Sequence, residues 1–212
     1  MQVALEAPRR SRRGGGSASP DVERVGPNTL IQTLAAYTDR YGSGAADQLC
    51  ARAQLPDPLP TDMVDERAFA RLVRALAAAL DPEDADRVLA EGGVGTGRYV
   101  LENRIPRLVR WILPKVPRRL ALRVLLRAVR AHAWTFAGSA DFRVRHRPEG
   151  AELTLAPSLV CVAAAAGRPM GSYYARAFEV LIQALVSPSA RVVEDACVTA
   201  GADGCRFRVV LD

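Results

Sequence analysis

The chain has 212 residues, 49% of them hydrophobic and 25% charged, with a formal net charge of +6. That length and composition suit one domain with a tail, or two small ones, around a sizeable core, and no apolar run is long enough to cross a bilayer. Four cysteines (Cys50, Cys161, Cys197 and Cys205) are too few in such a chain for a disulfide framework, which leaves cytosolic thiols or a metal site.

The basic residues are almost all arginine, and they are unevenly placed. Between Asn103 and Ala140 there are nine basic residues and no acid. Such a field attracts carboxylates, phosphates, anionic lipid or an acidic protein partner. No helix-turn-helix or RNA-binding motif accompanies it, so nucleic acid is not an expected partner. The first residues lack an apolar core followed by a small-residue cleavage site, which predicts a cytoplasmic protein, with contact at the periphery of the inner membrane as an option.

Residues 1–24 read as a disordered basic tail, with Arg9, Arg10, Arg12 and Arg13 leading into a glycine run. A single domain is expected over 25–212. Asn28 is the predicted N-cap of a first helix carrying Leu30, Ile31, Leu34 and Tyr41, ended by Gly42 and Gly44. A short helix over Ala45 to Ala53 and a connector stiffened by Pro56, Pro58 and Pro60 follow. Phe69, Leu72, Val73, Leu76 and Leu80 mark an amphipathic helix. Asp81-Pro82 reads as N-cap and first residue of the next one. Glu91-Gly-Gly-Val-Gly-Thr-Gly97 lacks the strand before it and the Gly-Lys-Ser/Thr after it that a phosphate loop needs, and is expected to be a flexible hinge between helices.

Pro106, Pro114 and Pro117 cut the next stretch into short helices, the last from Leu120 to His132. After Gly138 the period changes to two. Phe142, Val144 and His146 suggest a half-buried strand, and Leu153 and Leu155 a second. A helix from Gly171-Ser172 with Tyr174, Phe178, Leu181, Ile182 and Leu185 on one face precedes a hairpin, Arg191–Thr199 and Cys205–Leu211, turned by Gly201-Ala-Asp-Gly204. The fold class is α+β, a helical N-terminal half packed on an antiparallel sheet of β-β-α-β-β order.

Two groups of residues carry candidate chemistry. Glu194-x2-Cys197-x7-Cys205 has ligand types and a spacing suited to zinc on a hairpin; two buried thiols without metal are the alternative. Arg130 to Phe142, with His132, Trp134 and Phe136, reads as the floor of a ligand pocket. A hydrogen-bonded core histidine among ordinary core aromatics is the other reading of the same residues.

Several pieces together resemble the 4-vinyl reductase domain family and, within it, the bacteriochlorophyll-biosynthesis J group (BchJ-type). They are Gly26-Pro27-Asn28-Thr29, Met63-Val64-Asp65-Glu66, Leu101-Glu-Asn103-Arg104-Ile105-Pro106, His132-Ala-Trp134-Thr-Phe136-Ala-Gly138-Ser139, Tyr173-Tyr174-Ala175-x-Ala177-Phe178-Glu179, and the Glu194/Cys197/Cys205 tail. The resemblance covers residue 25 to the end. It implies an α+β fold related to ligand-binding domains of Golgi-tethering proteins and aromatic-sensing activators, which hold an apolar ligand between helices and sheet and commonly form homodimers. It also implies a metal site whose fourth ligand, a further cysteine, falls here on Gly171, which leaves three ligands and a water, Cys161 as a substitute, or an empty site.

As a ligand the resemblance implies a chlorophyll precursor. His132 would ligate its magnesium, Trp134, Phe136, Tyr173 and Tyr174 would stack on the macrocycle, and Arg104, Arg107 or Arg130 would pair with a propionate. Tyr173 and Tyr174 lie on different helix faces, so one of them is expected to face the ligand. The family name implies reduction of the 4-vinyl (C8-vinyl) group of a divinyl chlorophyllide or protochlorophyllide. No Rossmann fingerprint, flavin signature or iron–sulfur cysteine set is visible to supply electrons. The sequence therefore favours an accessory protein that binds the tetrapyrrole and carries it between bacteriochlorophyll-pathway enzymes; the alternative is a reductase with an external reductant.

Overall fold

The structure, a computed structural model, describes residues 23–156 and 171–211. The expected basic tail, apart from its last two residues, and Cys161 lie outside them. Glu23 and Arg24 take part in the fold. Arg24–Val25 forms β1, paired antiparallel with β2 (Val64–Asp65), and the Glu23 carbonyl accepts from the Glu66 N–H at 3.1 Å.

Helices α1 (Asn28–Tyr41) and α2 (Ser43–Ala53) follow, broken at Gly42. Asn28 is not the N-cap: Pro27 holds that position, and no side chain caps the helix. Helix α3 (Glu66–Ala79) is capped by Asp65, which accepts from the Arg67 N–H. Its stripe of Phe69, Leu72, Val73 and Leu76 is fully buried. Asp81 caps α4 (Pro82–Asn103) by accepting from the N–H groups of both Glu83 and Asp84, with Pro82 in the first turn.

The Gly92–Gly97 run is not a hinge. It lies inside α4, which continues unbroken for 22 residues. The glycines are there because two other helices press on this segment. A methyl at Gly92 would meet Thr33 of α1 at 2.7 Å. One at Gly93 would fall 2.1 Å from the carbonyl oxygen of Tyr173, in α7 (Ser172–Leu185), and one at Gly97 would meet Val180 at 2.8 Å. Each glycine costs the helix about 1 kcal/mol of intrinsic propensity relative to alanine. Close packing of three backbones offsets that cost, and α4 becomes the axis of the helical layer, with α1 and α7 lying along it.

After Pro106 comes α5 (Arg107–Ile112), a single-turn 3-10 segment over Leu113–Lys115, and after Pro117 α6 (Arg118–Ala131). The sheet consists of β3 (Asp141–Arg147), β4 (Gly150–Ala156), β5 (Arg191–Ala196) and β6 (Cys205–Val210), in the order β3-β4-β6-β5 and antiparallel throughout. Its apolar face carries Phe142, Leu153, Leu155, Val192, Phe207 and Val209, all buried. The opposite face exposes Arg143, Arg145, Arg206 and Arg208, the period-two signature of a sheet with one wet side. Helix α7 is clasped between α4 and the sheet. Its Phe178 ring sits 5.7 Å from Phe142 and 6.0 Å from Phe207, centroid to centroid. The chain is therefore a mixed helix-and-sheet protein, and no helix among the described residues is long and apolar enough to cross a membrane.

Candidate functional site

The turn from His132 to Ser139 joins the helical layer to the sheet, and it is held from three sides. A 3-10 turn over Ala133–Thr135 follows the end of α6. On one side the Gly26 N–H donates to the Thr135 carbonyl at 2.7 Å. On another, Glu66 Oε2 accepts from both the N–H and the hydroxyl of Ser139, at 2.8 and 3.1 Å. On the third, the Tyr174 hydroxyl donates to the Phe136 carbonyl at 3.4 Å. Gly138, at φ +57°, has no room for a Cβ, which would fall 2.0 Å from Glu66 Oε2. Four of the motif pieces scattered along the sequence thus meet around one turn.

Glu66 has no role in the sequence reading. It is a buried carboxylate in the first turn of α3, where the helix N-terminus favours negative charge. The signal available beforehand was an acid opening an apolar helix inside a matched motif. Its partner, 73 residues away, is not visible in any local pattern.

The predicted ligand residues separate into two groups. His132 and Trp134 are exposed, Trp134 by 53%. Exposure removes the core-histidine reading: His132 terminates α6 instead of continuing its buried stripe of Leu122, Leu125 and Leu126. Its Nδ1 lies 2.9 Å from the Ala128 carbonyl oxygen. A carbonyl can only accept, so in the neutral ring Nδ1 carries the proton and Nε2 keeps its lone pair. Arg130 is exposed on the last turn of α6. Arg104 and Arg107 are exposed at the other end of the basic region, lining an open depression of about 320 Å³ with Arg110, Asn103 and Glu102.

Phe136, Tyr173 and Tyr174 belong to the interior. Phe136 packs edge-on against Phe142 and Phe178, with centroids 5.2 and 5.7 Å away. The two tyrosine rings pack edge-on against each other, 5.3 Å between centroids, and both are buried. Tyr173 reaches Thr96 Oγ1 at 2.8 Å and packs on Phe69, whereas Tyr174 lies toward Phe136 and Phe207. Both are buried because α7 has the helical layer on one flank and the sheet on the other. These rings form the wall behind the turn.

At the loop end of the β5–β6 hairpin, Glu194, Cys197 and Cys205 bring one ligand atom each to within 4.8 Å of one another. The two sulfurs are 3.3 Å apart, well beyond a disulfide bond and near the roughly 3.8 Å that a tetrahedral zinc imposes on two thiolates. Glu194 pairs with Phe207 on the apolar face of the sheet, and the register shift between Glu194 and Ala196 sets Ala196 opposite Arg206, which brings the next residue, Cys197, to the side of Cys205. Glu194 Oε2 accepts from the Gly171 N–H at 2.9 Å, and its Oε1 is buried with no hydrogen-bond partner. Burial, and then the neighbouring Cys197, push its carboxyl up to about 8 against the opposing Gly171 hydrogen bond. An orphaned buried oxygen beside two thiols is a donor set that suits a soft divalent cation. Position 171 lies at this site in space: a Cβ there would come 2.3 Å from Glu194 Oε1, so glycine supplies a backbone N–H where a side chain would enter the cluster.

No protein-family model matches the chain. A crystal structure of an H-NOX protein from S. oneidensis in the Fe(II)NO ligation state shares the fold, with a TM-score of 0.51 at 14% identity over 89% of this chain and 99% of that one. In sequence, the chain is 39% identical over 201 residues to the bacteriochlorophyll synthase 23 kDa chain of Cereibacter sphaeroides, covering 94% of this chain and 95% of the relative. It is 33% identical over 196 residues to the protein of the same name from Rhodobacter capsulatus, covering 91% of each. With near-complete coverage at these identities, the chain belongs to the family of the bacteriochlorophyll synthase 23 kDa chain.

Proposed function

We propose that this chain serves bacteriochlorophyll biosynthesis by binding a chlorophyll precursor and handing it between enzymes of the pathway. The relatives' shared name supports the pathway. The observation that carries the binding step is the state of His132. Its Nδ1–H is engaged by the Ala128 carbonyl, which leaves Nε2 as a lone-pair donor on an exposed side chain. That is the tautomer a ligand to the magnesium of a porphyrin or chlorin requires, and the carbonyl partner fixes the orientation of the ring. Trp134, two residues on and exposed, offers a face for the macrocycle edge. Arg130 supplies a cation for a propionate, with Arg104 and Arg107 as further cations along the basic region.

In the same reading, Glu194, Cys197 and Cys205 hold a zinc ion that fastens β5 to β6 beside the start of α7. Bound there, zinc would cross-link two segments of the chain and act as a structural clamp.

Anaerobic titration with divinyl protochlorophyllide, with and without NADPH, tests the proposal. The expected result is a saturable absorbance shift at one pigment per chain, with the vinyl group intact on chromatography and the shift abolished in His132→Ala. Conversion to the monovinyl pigment would make the chain a reductase with an external electron source. An absent shift, or one unchanged in His132→Ala, would overturn the binding site.

A further inference from the structure

Helix α5 buries none of its residues. Leu108 is 65% exposed, Trp111 64% and Ile112 43%. Positions i, i+3 and i+4 lie on one side of a helix, so these three side chains form one apolar face turned to solvent. The 3-10 segment that follows ties it to the body through Leu113, which is buried. Two turns into the chain beyond, Leu120 and Val124 of α6 repeat the pattern at i, i+4 and are 51% and 48% exposed. Six of the eight large apolar side chains exposed among the described residues fall between Leu108 and Val124. Single exposed hydrophobics are ordinary, but a concentration of this kind marks a contact surface.

The charge around it identifies the occupant. No acid occurs from Asn103 to Ala140, against nine basic residues. Lys115 Nζ sits 3.2 Å from the centroid of the Trp111 ring, so a cation caps the most exposed aromatic. Arg110, Arg119 and Arg123 interleave with the apolar positions in sequence. A second copy of this surface would bring like charge against like charge, which opposes self-association through it. An anionic bilayer satisfies both halves of the surface. Apolar side chains enter the acyl boundary, the indole sits at headgroup depth, and long basic side chains reach back to phosphates.

We propose that α5 and the start of α6 form a membrane-docking surface for anionic phospholipid, with Trp111 and Leu108 inserted and Arg110, Lys115 and the α6 arginines on the phosphates. This proposal does not depend on the pigment reading. It makes the protein peripheral, lying on the bilayer without crossing it, in keeping with the absence of a long apolar helix among the described residues.

Co-sedimentation of the full chain with phosphatidylcholine vesicles, and with vesicles of equal phosphatidylcholine and phosphatidylglycerol, tests it. Trp134→Phe leaves Trp111 as the one tryptophan, so that its emission reports insertion directly. Binding is expected with the anionic vesicles and not the neutral ones, accompanied by a blue shift of Trp111 emission and quenching by lipids brominated near the headgroup. Leu108→Ser with Trp111→Ser should weaken binding about tenfold or more, and Arg110→Glu with Lys115→Glu by about as much. The melting temperature should not move, since none of these side chains is part of the core. Three results would overturn the proposal: no binding to anionic vesicles; salt-sensitive binding with unshifted Trp111 emission, which is charge attraction without insertion; or a dimer that dissociates when Leu108 and Trp111 are replaced, which would make a second copy the occupant.

Discussion

Glu66 and Ser139 are joined by two hydrogen bonds to the same carboxylate oxygen, although 73 residues separate them. The pairing binds the first turn of α3 to the turn that carries His132 and Trp134. Glu66 is 6% exposed, so the carboxylate side of the pairing is sheltered, whereas Ser139 stands at the surface. Truncation to alanine removes two hydrogen bonds to a buried carboxylate, while the Ser139 donors, on an exposed residue, can turn to water, at a net cost of about 1–2 kcal/mol. Glu66→Ala should lower stability by that amount in urea denaturation. Glu66→Gln, which retains an acceptor oxygen, should lose less. Both should weaken pigment binding by loosening the turn while leaving His132 in place. Unchanged stability in Glu66→Ala would mean that the turn is held by Gly26 and Tyr174 alone.

Gly93 gives a prediction with a built-in control. Its Cβ would lie 2.1 Å from the Tyr173 carbonyl oxygen, a backbone atom that cannot swing aside. Gly93→Ala should therefore separate α4 from α7 and cost about 3 kcal/mol, in spite of alanine's higher helix propensity. Gly44, in α2, has open space around its Cβ position. Gly44→Ala should stabilise the protein by about 0.5 kcal/mol. Opposite signs in chemical denaturation would support α4 as the close-packed axis of the fold. A neutral or stabilising Gly93→Ala would restore the hinge.

The same glycines show where sequence reasoning stops. Local signals are strong where the cause is local. Asp81-Pro82 starts α4, Phe69 to Leu76 form a buried stripe, and the period-two residues of β3 and β6 form alternating strands. Gly92 to Gly97 mislead because a glycine required by a neighbouring backbone looks identical to one required by a turn. Tyr173 and Tyr174 are ambiguous for a related reason: helical phase separates their faces but says nothing about α7 being covered on both. The Glu194/Cys197/Cys205 cluster was legible from residue type and hairpin spacing alone, and its ligand atoms converge. The small β1–β2 pairing and the Glu66–Ser139 bond were not, since each joins segments with no shared pattern. Exposure of Trp111 has no sequence signature either, because an apolar stripe predicts burial by default.

Metal content tests the cysteine cluster separately from pigment binding. Protein purified in the presence of zinc should hold one equivalent by atomic absorption. Cys197→Ser or Cys205→Ser should abolish it, and chelation should lower the melting temperature, because metal bound to the native chain alone stabilises by mass action. Gly171→Ala should also reduce zinc, since its methyl would fall 2.3 Å from Glu194 Oε1 and displace that ligand. Gly171→Cys brings a third sulfur to the same place and should raise affinity if the carboxylate moves aside. Zinc retained in both cysteine variants would assign the metal elsewhere.

Glu194 makes the metal-free protein sensitive to pH in an unusual direction. Its carboxyl, ordinarily half-titrated at 4.5, is pushed up to about 8 by burial and by Cys197. Between those values the folded chain keeps the proton and the unfolded chain has released it. The native state then binds more protons, so this group's contribution to stability is fully present below pH 4.5 and is lost as pH rises toward 8. Most acids that fold into favourable partners behave the opposite way. Denaturation midpoints in chelator should show wild type losing stability relative to Glu194→Gln across that window, because the amide has no proton to lose. Zinc should reverse the trend, since a metal ligand must be deprotonated and affinity therefore grows with pH. A wild-type-minus-Gln difference that stays flat from pH 4.5 to 8 would mean that Glu194 ionises normally, and that the oxygen without a partner is reached by solvent.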